Sequence, residues 1–339
     1  MKLKTLLIAA LLTAVAAGCG GTGAASTDGA KAVTVYTADG LADWYRTRFE
    51  AFTQQTGIKV QTVEAGSGEV VSRLQKERSN PQADVVVTLP PFIQKASKDG
   101  LLQKYAVPGS DRVQSVKGDD YVAVVNNYLC FIANKQVTPP QSFDELLDGR
   151  YQGKLQYSTP GQAGDGTAVL LLLQHLMGKQ GALDYLRKLE SNNVGPSAST
   201  GKLQPKVSKG ELLVANGDVQ MNLASISVDK SAFGIFFPAG PDGVRSTVAL
   251  PYVMGLAAGA PNDAGGKQLM DYLLSVEAQQ TVSGDAFGLP ARDDVKPVDA
   301  NFRAVQQAMT GVKPWTPDWT AVLADLDADV AAYTKAVQG

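Results

Sequence analysis

The segment Gly161-Gln-Ala-Gly-Asp-Gly-Thr167 stands between a strand-like run at 154–158 and an apolar helical run at 169–177. A glycine-rich turn that opens a helix leaves backbone N–H groups free and presents the positive end of the helix dipole. Such a turn suits phosphate, phosphonate or carboxylate. A similar segment, Gly66-Ser-Gly-Glu-Val70, again lies between a strand-like run and a helix. One turn in each half of the chain points to a ligand held between two lobes. The glycine spacing at 161–167 resembles a phosphate-binding loop, but no lysine precedes Thr167 to reach the terminal phosphates. Gly-x-Ser-x-Gly and His-Glu-x-x-His are absent, and one histidine with no cysteine pair leaves little for a catalytic triad or a zinc site. The sequence therefore argues for a binding protein and not an enzyme, with no cofactor and no metal.

The elements around these turns alternate. A strand at 32–36 precedes a helix at 41–57, whose Leu41, Tyr45, Phe49 and Phe52 recur at three- and four-residue steps as one buried stripe. A strand at 58–64, a helix at 69–78, a continuous apolar strand at 83–88 and a helix at 91–98 follow. Three strand–helix alternations predict an α/β domain with a largely parallel sheet. The long extended run at 121–133 can leave that domain, and a second at 247–257 can return to it. Between them the spacing predicts a helix at 143–147, the 154–158 strand, a long helix from about 167, helices at 183–192 and 211–216, and strands at 219–223 and 234–237. Helices at 265–275, 277–283 and 315–334 close the chain. The expected division is lobe 1 from residues 32–126 plus 253–300, lobe 2 from 127–252, and C-terminal helices at 301–339. Two crossing strands between α/β lobes describe a hinged clamshell. Ligands of such sheets bind at the carboxyl ends of the strands, where the turns at 37–40, 66–68, 88–90 and 158–167 all fall.

The 339 residues are 44% hydrophobic and 19% charged, an ordinary globular balance. Lysines and arginines are scattered, which argues against a nucleic-acid partner. Residues 1–18 read as a signal peptide: Lys2 and Lys4, an apolar core, then Ala16-Ala-Gly-Cys19. Loss of Lys2 and Lys4 takes the formal charge from −2 to −4. The cysteine after Ala-Ala-Gly resembles the lipobox of bacterial lipoproteins, in which Cys19 would carry a lipid. Residues 19–31 would be a flexible tether. Cys130 has no disulfide partner and reads as a buried free thiol.

Val33-Thr-Val-Tyr36, Pro81-Gln-Ala-Asp-Val85, Gly100-Leu-Leu102, Pro140-Gln-Ser-Phe-Asp-Glu-Leu146 and Leu273-Leu-Ser-Val-Glu-Ala-Gln279 resemble the type II solute-binding proteins of ATP-driven importers. The resemblance runs over about residues 32–295. Tyr36-Thr-Ala-Asp-Gly40, Gly66-Ser-Gly-Glu-Val-Val71, Glu77-Arg-Ser-Asn-Pro-Gln-Ala-Asp84 and Val87-Thr-Leu-Pro-Pro-Phe92 look like its 2-aminoethylphosphonate-binding branch, which is close to the ferric-ion-binding proteins. Ferric relatives use adjacent tyrosines, and this chain has no Tyr-Tyr pair; His175 lies in the apolar helix. The resemblance implies a two-lobed periplasmic-binding-protein clamshell. It implies a monomer, lipid-anchored outside the cytoplasm, that delivers 2-aminoethylphosphonate to an ABC permease. Phosphate ester, thiamine, polyamine or ferric ion is the alternative cargo, and a sensor lipoprotein the alternative role.

A zwitterion of this kind asks for two unlike subsites. Its anionic head wants donors, for which Ser67, Gly68, Thr88, Thr159, Gly166 and Thr167 are the candidates, although Ser67 and Thr167 could instead cap helices. Its ammonium wants a carboxylate and an aromatic face. Asp39, Glu69, Asp165 and Asp229 are the candidate carboxylates; Asp39 could instead cap the helix at 41, and Glu69 could be an ordinary first-turn acid. Tyr36, Thr37 and Tyr252 complete the set near the inter-lobe strands, and Trp315 and Trp319 read as core anchors.

Overall fold

The computed structural model describes residues 32–338. The signal peptide, the tether and Cys19 lie outside the described residues. Strand β1 (Val33–Ala38) leads to helix α1 (Ala42–Thr56), then β2 (Val60–Ala65), α2 (Ser67–Lys76), β3 (Val85–Thr88) and α3 (Phe92–Lys98). The apolar stripe of α1 buries Tyr45, Phe49 and Phe52 as its spacing requires, and Gly57 ends the helix in the left-handed region at φ 75°. Short β4 (Leu102–Gln103) and long β5 (Tyr121–Asn126) complete this half.

The chain then crosses into β6 (Leu129–Asn134), β7 (Leu155–Gln156), α4 (Gly164–Leu189), α5 (Gln204–Lys209), β8 (Val214–Asp218), α6 (Val219–Ser227) and β9 (Phe233–Phe236). It returns through β10 (Ser246–Val248) to β11 (Tyr252–Ala257), followed by α7 (Asp263–Leu274), α8 (Val276–Gln279), α9 (Val282–Ala286) and β12 (Leu289–Pro290). Helix α10 (Ala300–Ala308), β13 (Lys313–Trp315) and α11 (Trp319–Gln338) end the fold.

Two separate sheets make the two lobes. The first has the order β12-β5-β11-β3-β1-β2, with β4 on β11; the second has the order β7-β8-β6-β9. In lobe 1, β1 runs parallel to β2 and β3, while β11 returns antiparallel to β3 and β5. The sheet is mixed because its last long strand arrives from the other lobe. The two crossings lie side by side: Leu250 N–H donates to Asn127 O at 2.9 Å, and Tyr128 bridges Ala249. Tyr252, placed by the sequence in lobe 2, is the first residue of a lobe 1 strand.

Capping and kinks shift several elements from where their periodicity alone would put them. The predicted helix at 211–216 and strand at 219–223 are inverted: 214–218 is strand and 219–227 helix. Alternating Val219, Met221 and Leu223 imitate a strand, but Asp218 accepts a hydrogen bond from Met221 N–H and starts a helix there. The helices expected at 167–177 and 183–192 are two limbs of α4, broken at Gly178 (φ 74°). Trp315 lies in β13, stacked on exposed His175 at 4.1 Å between ring centroids, and α11 begins only at Trp319. Helix α11 lies along α4, where Lys179 pairs with Asp325 and Asp329, and it reaches the segment after β7, where Tyr333 Oη meets Tyr157 Oη at 3.1 Å. Among the described residues, no helix is long and apolar enough to cross a membrane.

Candidate ligand-binding site

The carboxyl ends of β1, β2, β7 and β8 face one another across the cleft, and the polar residues there come from both lobes. Asp39 follows β1, Asp165 opens α4, and Asp218 ends β8. These carboxylates are near enough to disturb one another. Ser199 Oγ of lobe 2 donates to Asp39 Oδ2 of lobe 1 at 2.5 Å. Tyr252 Oη donates to Asp218 Oδ2 at 3.0 Å and lies 2.9 Å from Asp39 O. Gln220, just after Asp218, donates to Gly40 O at 2.9 Å and to Ala286 O at 2.6 Å. Gly40 is needed because a Cβ there would sit 2.1 Å from the Tyr252 hydroxyl, at a φ of 121°.

Asp165 is 5% exposed, and its Oδ1 has no hydrogen-bond partner. A buried, unpartnered carboxylate oxygen is costly in a folded protein unless it takes up a proton or meets a cation. Burial, and then the charge of Asp218, push Asp165 well above the ordinary carboxylate range, against the nearby Thr200 hydroxyl. Burial likewise raises Asp218, although Asn127, the Met221 N–H and Tyr252 favour its charge. Asp39 is raised by burial and by Glu69, and lowered by Ser199, the Gly201 N–H and exposed Lys202. Asp39 does not cap α1, whose first turn has no side-chain cap.

The glycine turns behave differently. Gly68 N–H donates to Gln162 O at 2.9 Å, so one turn's donor meets the other turn's carbonyl. A Cβ on Gly68 would lie 2.5 Å from Gly161 O, and one on Gly66 2.1 Å from Ala198 O. Within lobe 2, a Cβ on Gly166 would meet Ser158 O at 2.0 Å. Thr167 Oγ1 accepts from Gly161 N–H and donates to Ala163 O, both at 2.9 Å, so it braces its own turn. Thr159 Oγ1 accepts from Ser197 N–H at 3.0 Å, and Thr88 Oγ1 donates to Ser67 O at 3.4 Å. Buried Ser67 faces the start of α4: a Cβ on Gly164 would be 2.7 Å from its Oγ.

Of the other candidates, Glu69 is exposed in the first turn of α2. Tyr36 turns its hydroxyl away to Glu77, at 2.8 Å, with Arg73 over its ring. Thr37 is fully buried against the Tyr45 hydroxyl. Exposed Asp229 lies beyond the far end of α6, about 16 Å along the helix from Asp218 by helical rise. Asp218, Gln220, Ser199, Thr200 and Ser158 were not singled out from sequence. The Asp-initiated helix at 218 was the one local signal for them. The chain carries two Ser-x-x-Lys spacings, Ser199-Thr-Gly-Lys202 and Ser227-Val-Asp-Lys230, but the Ser199 hydroxyl is given to Asp39 while Lys202 is exposed, and exposed Lys230 donates to the Ser227 carbonyl. Cys130 is buried and free, with burial raising its thiol. Among the described residues, no group of three His, Cys, Asp or Glu side chains is arranged to hold a metal ion.

A family model described as a bacterial extracellular solute-binding protein matches residues 47–311. The chain is 50% identical over 313 residues to a Salmonella paratyphi A protein named "Putative 2-aminoethylphosphonate-binding periplasmic protein", covering 90% of this chain and 92% of that one. A periplasmic thiamin binding protein superposes with a TM-score of 0.77 at 21% identity, over 90% of this chain and 96% of that one. The fructose-6-phosphate-bound periplasmic binding protein AfuA of Actinobacillus pleuropneumoniae gives 0.73 at 20%, over 91% and 97%. These two structural likenesses concern the fold.

Proposed function

Because the chain belongs to the bacterial extracellular solute-binding proteins, and so is an extracytoplasmic binding component of an ABC-type importer and not an enzyme, we propose that its cargo is 2-aminoethylphosphonate. The observation that carries this reading is the buried, unpartnered Asp165 Oδ1 beside Asp218 and Asp39. A primary ammonium entering there supplies the missing partner and the missing charge together. The phosphonate, two carbons away, falls at the facing N-termini of α2 and α4, where Ser67 and the first-turn amides of α4 are the donors. A plain dianion gains the second subsite but meets the repulsion of the first, which favours a zwitterion over inorganic phosphate. The name carried by the 50%-identical Salmonella protein agrees with this chemistry.

Calorimetric titration with 2-aminoethylphosphonate, phosphate, thiamine, putrescine and Fe(III)-citrate tests the cargo. Saturable heat from the aminophosphonate at the lowest concentration is expected. Tighter binding of any other member of the panel overturns the reading. The proposal includes a lipid on Cys19 that tethers the protein to its membrane. Membrane fractionation of the intact chain against Cys19→Ser checks it: the variant should be released, and equal retention removes the anchor.

A further inference from the structure

The three carboxylates are divided between the lobes, Asp39 on lobe 1 and Asp165 and Asp218 on lobe 2. Bringing the lobes together therefore also brings like charges within reach of one another's field. The lobes touch at the turns through Gly68–Gln162, Ser199–Asp39 and Gly66 against Ala198, and nearer the crossings through Gln220 to Gly40 O and Ala286 O and Tyr252 to Asp218. The contacts of Gly68 and Gly66 are short-range and need the glycine turns fully together. We propose that this divided cluster makes closure conditional on positive charge: ionised and alone, it holds the lobes apart, and either a ligand ammonium or a bound proton lets them shut. This rests on the cluster being the cation subsite of the proposed ligand.

The groups facing the cluster leave it under-compensated. Asp39 faces Ser199, exposed Lys202 and the acids Glu69 and Glu64. Asp165 and Asp218 face each other, Asp39, Thr200, Asn127, the Tyr252 hydroxyl and the Cys130 thiol. The cation in this set is Lys202, which lies in solvent, where its field is screened. The neutral neighbours stabilise one carboxylate each but do not cancel charge. Asp165 Oδ1, with no donor at all, is where a net positive partner is wanted most.

The direction with pH follows from linkage. Closure buries carboxylates whose affinity for protons is then raised, so the closed form binds more protons than the open, solvated form. Closure without ligand is favoured as pH falls and is lost as pH rises through the raised values. Where the ligand-free protein is already closed and protonated, toward the acid end, a bound ammonium displaces those protons, so ligand binding there releases them.

Small-angle scattering of the ligand-free protein from about pH 8 to about pH 5 reads this directly. The radius of gyration should contract with falling pH toward the value that the ligand-bound protein has at the upper pH. Asp165→Asn should be more compact than the parent at that upper pH. A radius indifferent to pH and to Asp165→Asn overturns the proposal, and the parent's pH series decides alone if the variant misfolds. Calorimetry in buffers of unlike ionisation enthalpy supplies a second readout. At about pH 5, proton release on binding should be larger in the parent than in Asp165→Asn, the ligand's own phosphonate titration being common to both. If 2-aminoethylphosphonate gives no heat while the radius still follows pH, the ligand reading fails and the closure device stands. Tight binding with equal proton release in both proteins and a pH-indifferent radius does the reverse.

Discussion

The glycine turns and the carboxylate cluster share one cleft, yet they are opposite kinds of surface. At Gly66, Gly68 and Gly161 the lobes are complementary to each other: a backbone donor meets a backbone acceptor, and no room remains for a Cβ. At Asp39, Asp165 and Asp218 the lobes are not complementary, because like charges converge and one oxygen lacks a partner. The satisfied surface tells how the lobes fit; the unsatisfied one is where the proposed ammonium would be held. A binding protein needs both. A cleft that satisfied itself everywhere would shut without cargo, and one that satisfied itself nowhere would not shut with it.

Two substitutions separate these roles. Asp218→Asn keeps the shape and the helix cap, since asparagine also accepts from Met221 N–H, but removes a charge from the cluster. It should weaken binding of the aminophosphonate by about 2–4 kcal/mol, roughly 30- to 1,000-fold, while the melting temperature holds or rises. Unchanged affinity would make the cluster a structural feature only. Gly68→Ala acts on the other surface. It suits the first turn of α2, but its Cβ would press on Gly161 O at 2.5 Å, so the lobes stop short of full contact. An affinity loss of about tenfold with the fold intact is expected. A loss as large as that of Asp218→Asn would erase the distinction between the two surfaces.

The same contrast describes what the sequence could disclose. The turns were legible because each is a contiguous pattern of glycine and hydroxyl residues between a strand and a helix. The α/β alternation, the two crossings and the return of the chain to the first sheet were legible for the same reason: periodicity is local. Their meaning was not, since Thr167 braces its own turn and the Gly68 N–H meets Gln162, and neither is visible from spacing. The cluster is assembled from the ends of strands far apart in the chain. Asp39 and Asp165 could be nominated as carboxylates beside turns. Asp218 was hidden because Val219, Met221 and Leu223 alternate like a strand, and only the cap at Met221 N–H shows where the helix begins. Tyr36 and Tyr252 looked alike as aromatic residues on inter-lobe strands. Their hydroxyls point to opposite ends of the sheet, one to Glu77 and one to Asp218, and the difference is set by pleat and position.

The central claim is that the cluster recognises an ammonium, and one comparison isolates that group. Ethylphosphonate matches 2-aminoethylphosphonate in its anionic head and carbon chain and lacks only the amine. Titrated against the same protein at neutral pH, it should bind at least about 100-fold more weakly, the value of roughly 3 kcal/mol for a buried charge-assisted contact. Equal affinity for the two compounds would contradict the account.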